Sequence, residues 1–379
     1  MKKSVCSWQA SRKKKVKTMR DDSTLGNQIL NALIPVGLAF LIGAVGILIA
    51  KQNPLTAYYV MISQSLFDLD GLMKTLHYAA PLILTGLAIA VSFKAKLFNM
   101  GVEGQLLVGG FVVSYAAYRL SFLPGPMLIP VLLGIGLLSG LLTALIPALL
   151  KAYYNVNELV VTLLLNYAII EVLEYLTSNV FRDPSAGYVS TPMIGSAAVI
   201  SRLFGTRLTM FFLVALIAFA IMYVVFKHSK LGYEIEAMGK NLEFSEAVGM
   251  GVRRKIITIM LISGSLAGLG GAGWMLSEKY AYTLNFSGSP GLGWDGMLIA
   301  LLGSHSPVGV FIAAIFYAAL KVGSNSIALY TDVPSEIVGL IQALIILFLS
   351  IRFIRNTGLL HSLTCRLQPS RIEKKKGEA

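Results

Sequence analysis

The feature that most constrains this chain is its succession of apolar runs, separated by short polar links. Most of the runs are about as long as the 20 residues needed to cross a bilayer core. In lipid every backbone N–H and C=O must be satisfied within the protein, so such runs form helices or a closed barrel. Their length and unbroken apolarity select helices, and the fold class is an all-α polytopic membrane bundle of about ten transmembrane helices. The helices are predicted at Asn31–Ala50, Leu76–Phe93, Leu97–Tyr118, Pro126–Leu150, Glu158–Val180, Leu208–Phe226, Ile256–Leu276, Gly291–Gly303, Pro307–Val322 and Pro334–Ile354. An amphipathic stretch, Pro54–Leu66, is predicted to lie at the interface. The eighth helix is too short to span alone. It is either re-entrant or begins earlier, and its hairpin with the ninth returns to the starting side in both cases.

Composition supports a membrane bundle. Residues of the apolar types make up 55% of the chain and charged ones only 13%, about half the charged share of a soluble domain. The net charge of +13 raises nucleic acid as a ligand, but its distribution excludes that reading. Basic residues gather in a leader (Arg12, Lys13, Lys14, Lys15), one central loop and a tail (Lys374, Lys375, Lys376), flanking apolar spans. With the N-terminus inside, the inner segments hold 24 Lys and Arg against 8 outside. The positive-inside rule then places both termini in the cytoplasm. The domains follow: a basic cytoplasmic leader, 1–28; a transmembrane domain, 29–355, with a cytoplasmic loop at 227–255; and a basic cytoplasmic tail, 356–379. The two cysteines, Cys6 and Cys365, sit in the two ends and make neither a disulfide framework nor a metal site.

Polar residues inside apolar runs are the candidate functional residues, because a carboxylate at that depth costs about 2.5–3.5 kcal/mol on insertion scales and needs a partner or water. The strongest signal is Phe98–Gln105, where Asn99, Glu103 and Gln105 enter a Gly-containing helix. They line a polar pathway, or they form a helix-start network with Lys94 or Lys96; both readings stand. A second signal is Gly293-Trp294-Asp295-Gly296, near the outer end of the eighth helix. Trp294 reads as an interfacial anchor, and Asp295 as either an N-cap or a pathway residue. In the fifth helix, Asn166 and Glu174 lie about 80° apart and Glu171 about 140° from Asn166. Asn166 and Glu174 are therefore expected to face a cavity together, leaving Glu171 to a helix partner. Helices 2–5 and 7–10 share an outline, each half with a Gly-rich helix and an acid near a helix start, Glu103 and Asp295; no other motif supports that symmetry.

The loop Leu231–Gly251 is long, polar and acidic, with small residues that suggest a short helix–turn–helix and a docking surface. Gly239-Lys240 resembles the end of a phosphate loop, but the spacing to Gly232 and the Asn241 that follows rule one out. HExxH and GxSxG are absent, and His77, His228, His305 and His361 have no metal spacing. The chain is expected to be a transport protein and not an enzyme, with no cofactor of its own.

Four segments resemble a permease subunit of an ATP-binding-cassette (ABC) importer, in the nucleoside-type branch of the branched-chain amino acid, ribose and simple-sugar permease superfamily. They are Ala79–Gly110, Asn157–Tyr167, Glu236–Val252 and Trp294–Val310. The resemblance implies a plasma-membrane bundle that pairs with a second, similar permease. It also implies two ATP-binding domains beneath, often fused in one chain, which use the ATP, and a lipid-anchored binding protein that delivers nucleoside or a related sugar. It makes Glu236–Val252 the ATPase-coupling segment, with Glu236, Ala237, Gly239, Asn241, Ala247 and Gly249 as its residues. Ala237, Met238, Ala247 and Val248 are expected to enter a groove of the ATPase. Asn99, Glu103, Gln105, Asn166, Glu174 and Asp295 are the expected substrate pathway. The competing reading is an ion-coupled secondary transporter, for which Glu103, Glu171 and Glu174 would be ion sites.

Overall fold

The computed structural model describes residues 40–49, 51–287, 290–331, 333, 334, 339 and 343. Among them the chain is helical, with two isolated β-bridges, Ser190 to Thr283 and Arg202 to Thr209. It divides into two units: Tyr58–Ser326, and the chain ends, Met1–Ala57 with Ile327–Ala379. In the unit of chain ends, α1 (Phe40–Ile49) is helical and apolar. The leader 1–28, the tail 356–379, both cysteines, residues 31–39 of the first expected helix and nearly all of the helix expected at Pro334–Ile354 lie outside the described residues.

From Pro54 the helices run α2 (Pro54–Ile62), α3 (Leu69–Lys94), α4 (Val102–Arg119), α5 (Gly125–Tyr154) and α6 (Glu158–Tyr175). There follow α7 (Phe211–His228), α8 (Lys230–Lys240), α9 (Leu242–Ala247), α10 (Val252–Trp274), α11 (Leu284–Ser287), α12 (Leu292–Leu302) and α13 (Pro307–Tyr330). A widened turn prolongs α6 to Val180 and α10 to Lys279. By length and composition, six helices among the described residues can cross a membrane: α3, α5, α6, α7, α10 and α13. α3 is the most deeply buried of the six. Asp68 caps it by accepting from the Gly71 amide, and its residues from Ala79 to Ser92 are all buried. α5, α6 and α7 instead keep apolar faces exposed, among them Leu142, Leu164 and Ile217, as suits contact with lipid. α5 and α10 cross where Gly140 meets Gly264 and Gly268, and a Cβ at any of the three would strike the other backbone.

Ring contacts mark two levels of α3. Phe93 meets His305 of the α12–α13 turn, and His77 stacks on Trp274 at the end of α10. The 16 residues from His77 to Phe93 span about 24 Å. Between these levels two helices begin inside the bundle. α4 starts at Val102 and not at Leu97, because Leu97–Gly101 enters from the Lys94 end without helical structure. α12 starts where Gly293 packs on Glu103, and a Cβ at Gly296 would strike Thr85 nine residues before Lys94. Its 11 residues cover about 16 Å, half a crossing. Asp295 therefore sits in the first turn of α12, at an end of that helix that lies inside the bundle. Both helices carry an acid in the first turn, Glu103 in α4 and Asp295 in α12, as outlined by the sequence.

Candidate functional site

The segment before α4 has backbone groups that no helix satisfies, and neighbouring side chains take that role. The Asn99 carboxamide accepts from the Gly101 amide at 3.1 Å, donates to Ser263 at 2.8 Å and exchanges two hydrogen bonds with Gln105. Ser263 of α10 in turn donates to the Ala88 carbonyl of α3 at 2.6 Å. From α6, Thr162 accepts from the Met100 amide, and Asn166 both donates to the Met100 carbonyl at 2.6 Å and accepts from the Gly104 amide at 2.9 Å. Glu158 accepts from the Phe98 amide and pairs with Lys151 at 2.9 Å. Asn99, Gln105 and Asn166 are thus enclosed in one network that seats the start of α4 on α3, α6 and α10.

Glu103, 1% exposed, joins α4 to α12. Its carboxylate accepts from the amides of Gly291 and Gly293 at the start of α12. Gly291 holds the N-cap position in a left-handed conformation and has no side chain to cap with. Glu103 supplies that cap from another helix, and its charge suits the positive end of the α12 dipole. These two hydrogen bonds go to α12 and not to Lys94 or Lys96. Asp295, one turn into α12, is not the N-cap; it accepts from the Tyr317 hydroxyl of α13. Trp294 is half-buried, as is Glu174 on α6, whereas Glu171 is exposed.

At the Lys94 end, the expected helix–turn–helix is present as α8 and α9. Ser229 caps α8 by accepting from the Gly232 amide, and Asn241 caps α9 by accepting from the Phe244 amide. Glu234 pairs with Lys255 at 2.6 Å, tying α8 to α10. Met238 is buried in its own chain, contrary to its expected place in a partner's groove, because it lies on the face of α8 that packs inward. Gly239 meets the Lys94 carbonyl oxygen so closely that a Cβ there would collide with it. Ala237 is half-buried; Glu236, Ala247 and Gly249 are exposed. Glu236 pairs with Lys240 at 3.1 Å, and that hydrogen bond, then the charges of Lys240 and Lys94, hold its carboxyl below the usual range. Four larger apolar residues face outward on this hairpin: Tyr233, Leu242, Phe244 and Val248.

At the opposite end of α3 a cavity of about 250 Å³ opens beside Tyr78, Trp274 and Phe286. The stretch after α10 adds Lys279, Thr283 and Asn285, and Leu292 closes it at the start of α12.

Residues 71–350 match the family described as branched-chain amino acid transport system / permease component. The chain belongs to this permease family. Among curated relatives, the nucleoside ABC transporter permease protein NupB of Lactococcus lactis is 32% identical, covering 93% of this chain and 98% of the relative. The guanosine ABC transporter permease protein NupP of Bacillus subtilis is 35% identical over 86% and 96%. The glucose ABC transporter permease protein TsgB13 of Haloferax volcanii is 34% identical over 84% and 86%. In the first two bacteria a second protein with the same printed description, NupC and NupQ, also matches, each at 24% identity over 68% and 69% of this chain. No solved structure matches.

This permease is therefore a multi-pass membrane protein and a transport subunit. Four of its junction residues, Asn99, Glu103, Gln105 and Asn166, stand out in the sequence as polar side chains in apolar helices. Ser263 and Thr162 do not, because their hydroxyls blend into apolar spans, nor do Tyr78, Trp274, Phe286 and Asn285 around the cavity. Aromatic residues carry no signal in such helices, and Asn285 falls in a link. Tyr233, Leu242 and Phe244 were missed because apolar residues in a loop read as internal packing.

Proposed function

We propose that this permease is the membrane subunit of an ABC importer that carries nucleosides across the plasma membrane by alternating access. The observation behind this reading is that NupB and NupP, whose names specify nucleoside and guanosine transport, align along nearly their whole length. A separate ATPase binds and spends the ATP, and this chain binds none. A lipid-anchored binding protein delivers substrate. A second permease completes the pair, in keeping with the NupB–NupC and NupP–NupQ names. The six candidate spans, the broken crossings at α4 and α12, and the two chain ends make about ten helices with both termini cytoplasmic. The Lys94 end then faces the cytoplasm, and α8–α9 is the coupling segment. Phe244, Leu242, Val248 and Tyr233 dock on the ATPase with Ala247 and Gly249, while Gly239 and Asn241 shape the hairpin and Glu236 lies at its rim. In the pathway, Asp295 and Glu174 face the substrate, and Asn99, Glu103, Gln105 and Asn166 set the positions of α4 and α12.

The test is uptake of labelled guanosine and of labelled glucose by cells expressing the complete transporter, with co-purification of the ATPase. Guanosine uptake that stops when the ATPase is inactivated is the expected result. Glucose uptake without guanosine uptake, or transport that persists without the ATPase, overturns the reading.

A further inference from the structure

The cavity at the far end of α3 has a lining that the transport reading leaves unused. Its aromatic walls are fixed in place. Trp274 stacks on His77 (5.3 Å between centroids, 28° between planes) and meets Tyr78 edge-on at 5.4 Å. His77 is itself held by Thr209 at 3.2 Å and Glu278 at 3.3 Å. Phe286 is braced edge-on by Tyr282 at 5.3 Å. Besides the Tyr78 hydroxyl and the Trp274 indole N–H, the polar groups come from one stretch, Lys279 to Asn285, so the lining joins a braced aromatic part to one polar strip.

We propose that this cavity receives the nucleobase of the transported nucleoside, with the base against Trp274, Tyr78 and Phe286 and its polar edge on Asn285, Thr283 and Lys279. The proposal rests on the nucleoside reading and adds where, and by what part, the substrate is held. A planar base offers an apolar π-face and a hydrogen-bonding rim, which is the division in this lining. A hexose carries hydroxyls around its whole ring and would leave several facing aromatic carbon. A carboxamide both donates and accepts, as a base edge requires. The cavity also touches the machinery: Leu292 lies between Gly291 and Gly293, the residues whose amides Glu103 holds. A base seated there presses on the start of α12.

The test is equilibrium binding of labelled guanosine to the complete transporter in lipid nanodiscs without the binding protein, alongside uptake in cells. Saturable binding, displaced by other nucleosides but not by ribose or glucose, is expected. Asn285→Ala and Trp274→Phe should each weaken it about tenfold, within the range for one stacking or edge contact. Asn285 is exposed, so its truncation leaves packing intact and guards against a folding artefact at Trp274. A transporter that imports guanosine but whose binding is unchanged in both variants, or displaced equally by ribose, overturns the cavity assignment and leaves the nucleoside reading standing. Import of glucose and not guanosine overturns both.

Discussion

The centre of the bundle and its Lys94 end invert the usual rule in opposite ways. At the centre, polar side chains are buried among apolar helices: Asn99, Glu103, Gln105 and Asn166 are each at most 2% exposed. At the Lys94 end, apolar side chains stand in the open, with Tyr233 at 69% and Phe244 at 64% exposed. The junction is complete in itself, because its hydrogen bonds close on backbone groups of the same chain. The hairpin is incomplete, because exposed aromatic residues on a short capped helix gain most when a partner removes them from water. The first arrangement fixes the starts of two helices within the subunit; the second leaves an apolar surface open to a partner.

If the junction is self-sufficient, damage there should be severe and felt without any partner. Glu103→Ala strands the Gly291 and Gly293 amides, and each unsatisfied buried group costs about 1–3 kcal/mol. Thermal unfolding of the solubilised permease should register that loss, and uptake should cease. Glu103→Gln keeps an acceptor but not the charge facing the α12 dipole, so it should insert and fold with a smaller loss, yet transport slowly. Full uptake in Glu103→Gln would reduce the carboxylate to a neutral cap. Asn166→Ala comes next, at about 1–3 kcal/mol, since the Gly104 amide and Met100 carbonyl lose one shared partner. A cysteine at 166 should resist a water-soluble thiol reagent, and one at 174 should react. Rapid labelling at 166 would restore the shared cavity expected from helical spacing.

The hairpin should behave in the reverse manner. Phe244→Ala is exposed and should leave the permease as stable as before, while weakening ATPase capture by more than about 1 kcal/mol if it is an anchoring contact. Glu243→Gln, at the rim, should cost about 0–1 kcal/mol. Co-purification and substrate-stimulated ATP hydrolysis separate the two. Equal effects would mean that the surface works by charge and not by buried apolar contact. Gly239→Leu does not belong with them, since its collision with Lys94 lies inside the chain and should lower stability first.

How much of this was legible in the sequence depended on the kind of signal. The long apolar helices α5, α6 and α7 declare themselves, and their bounds fall within a few residues of expectation. α4 does not, because Leu97 and Phe98 continue an apolar pattern while Asn99 closes a turn on the Gly101 amide, and only the tertiary partners on α6 and α10 make that turn affordable. Glu103 was visible as an anomaly, but its role was not: the glycines it caps lie about 190 residues away, and no local pattern links them. The cavity was invisible because Tyr78, Trp274 and Asn285 meet only after α3 and α10 are packed.

The smallest effect expected from the comparison lies where the two regions approach, at the α12–α13 turn. His305 has a left-handed backbone conformation, with φ 55°, and its ring meets Phe93 edge-on. Burial, and then the nearby Lys94 charge, pushes its pKa below the ordinary value of 6.5. The unfolded chain therefore takes up a proton at a higher pH than the folded one. Above 6.5 both states are neutral at this group and stability is undiminished. As pH falls through that value the unfolded state binds more protons, and stability declines until the folded pKa is passed. His305→Asn tolerates the left-handed backbone and cannot titrate, so it should flatten the fall in unfolding temperature between about pH 7.5 and 5.5. An unchanged slope in the variant would assign the acid sensitivity to another group.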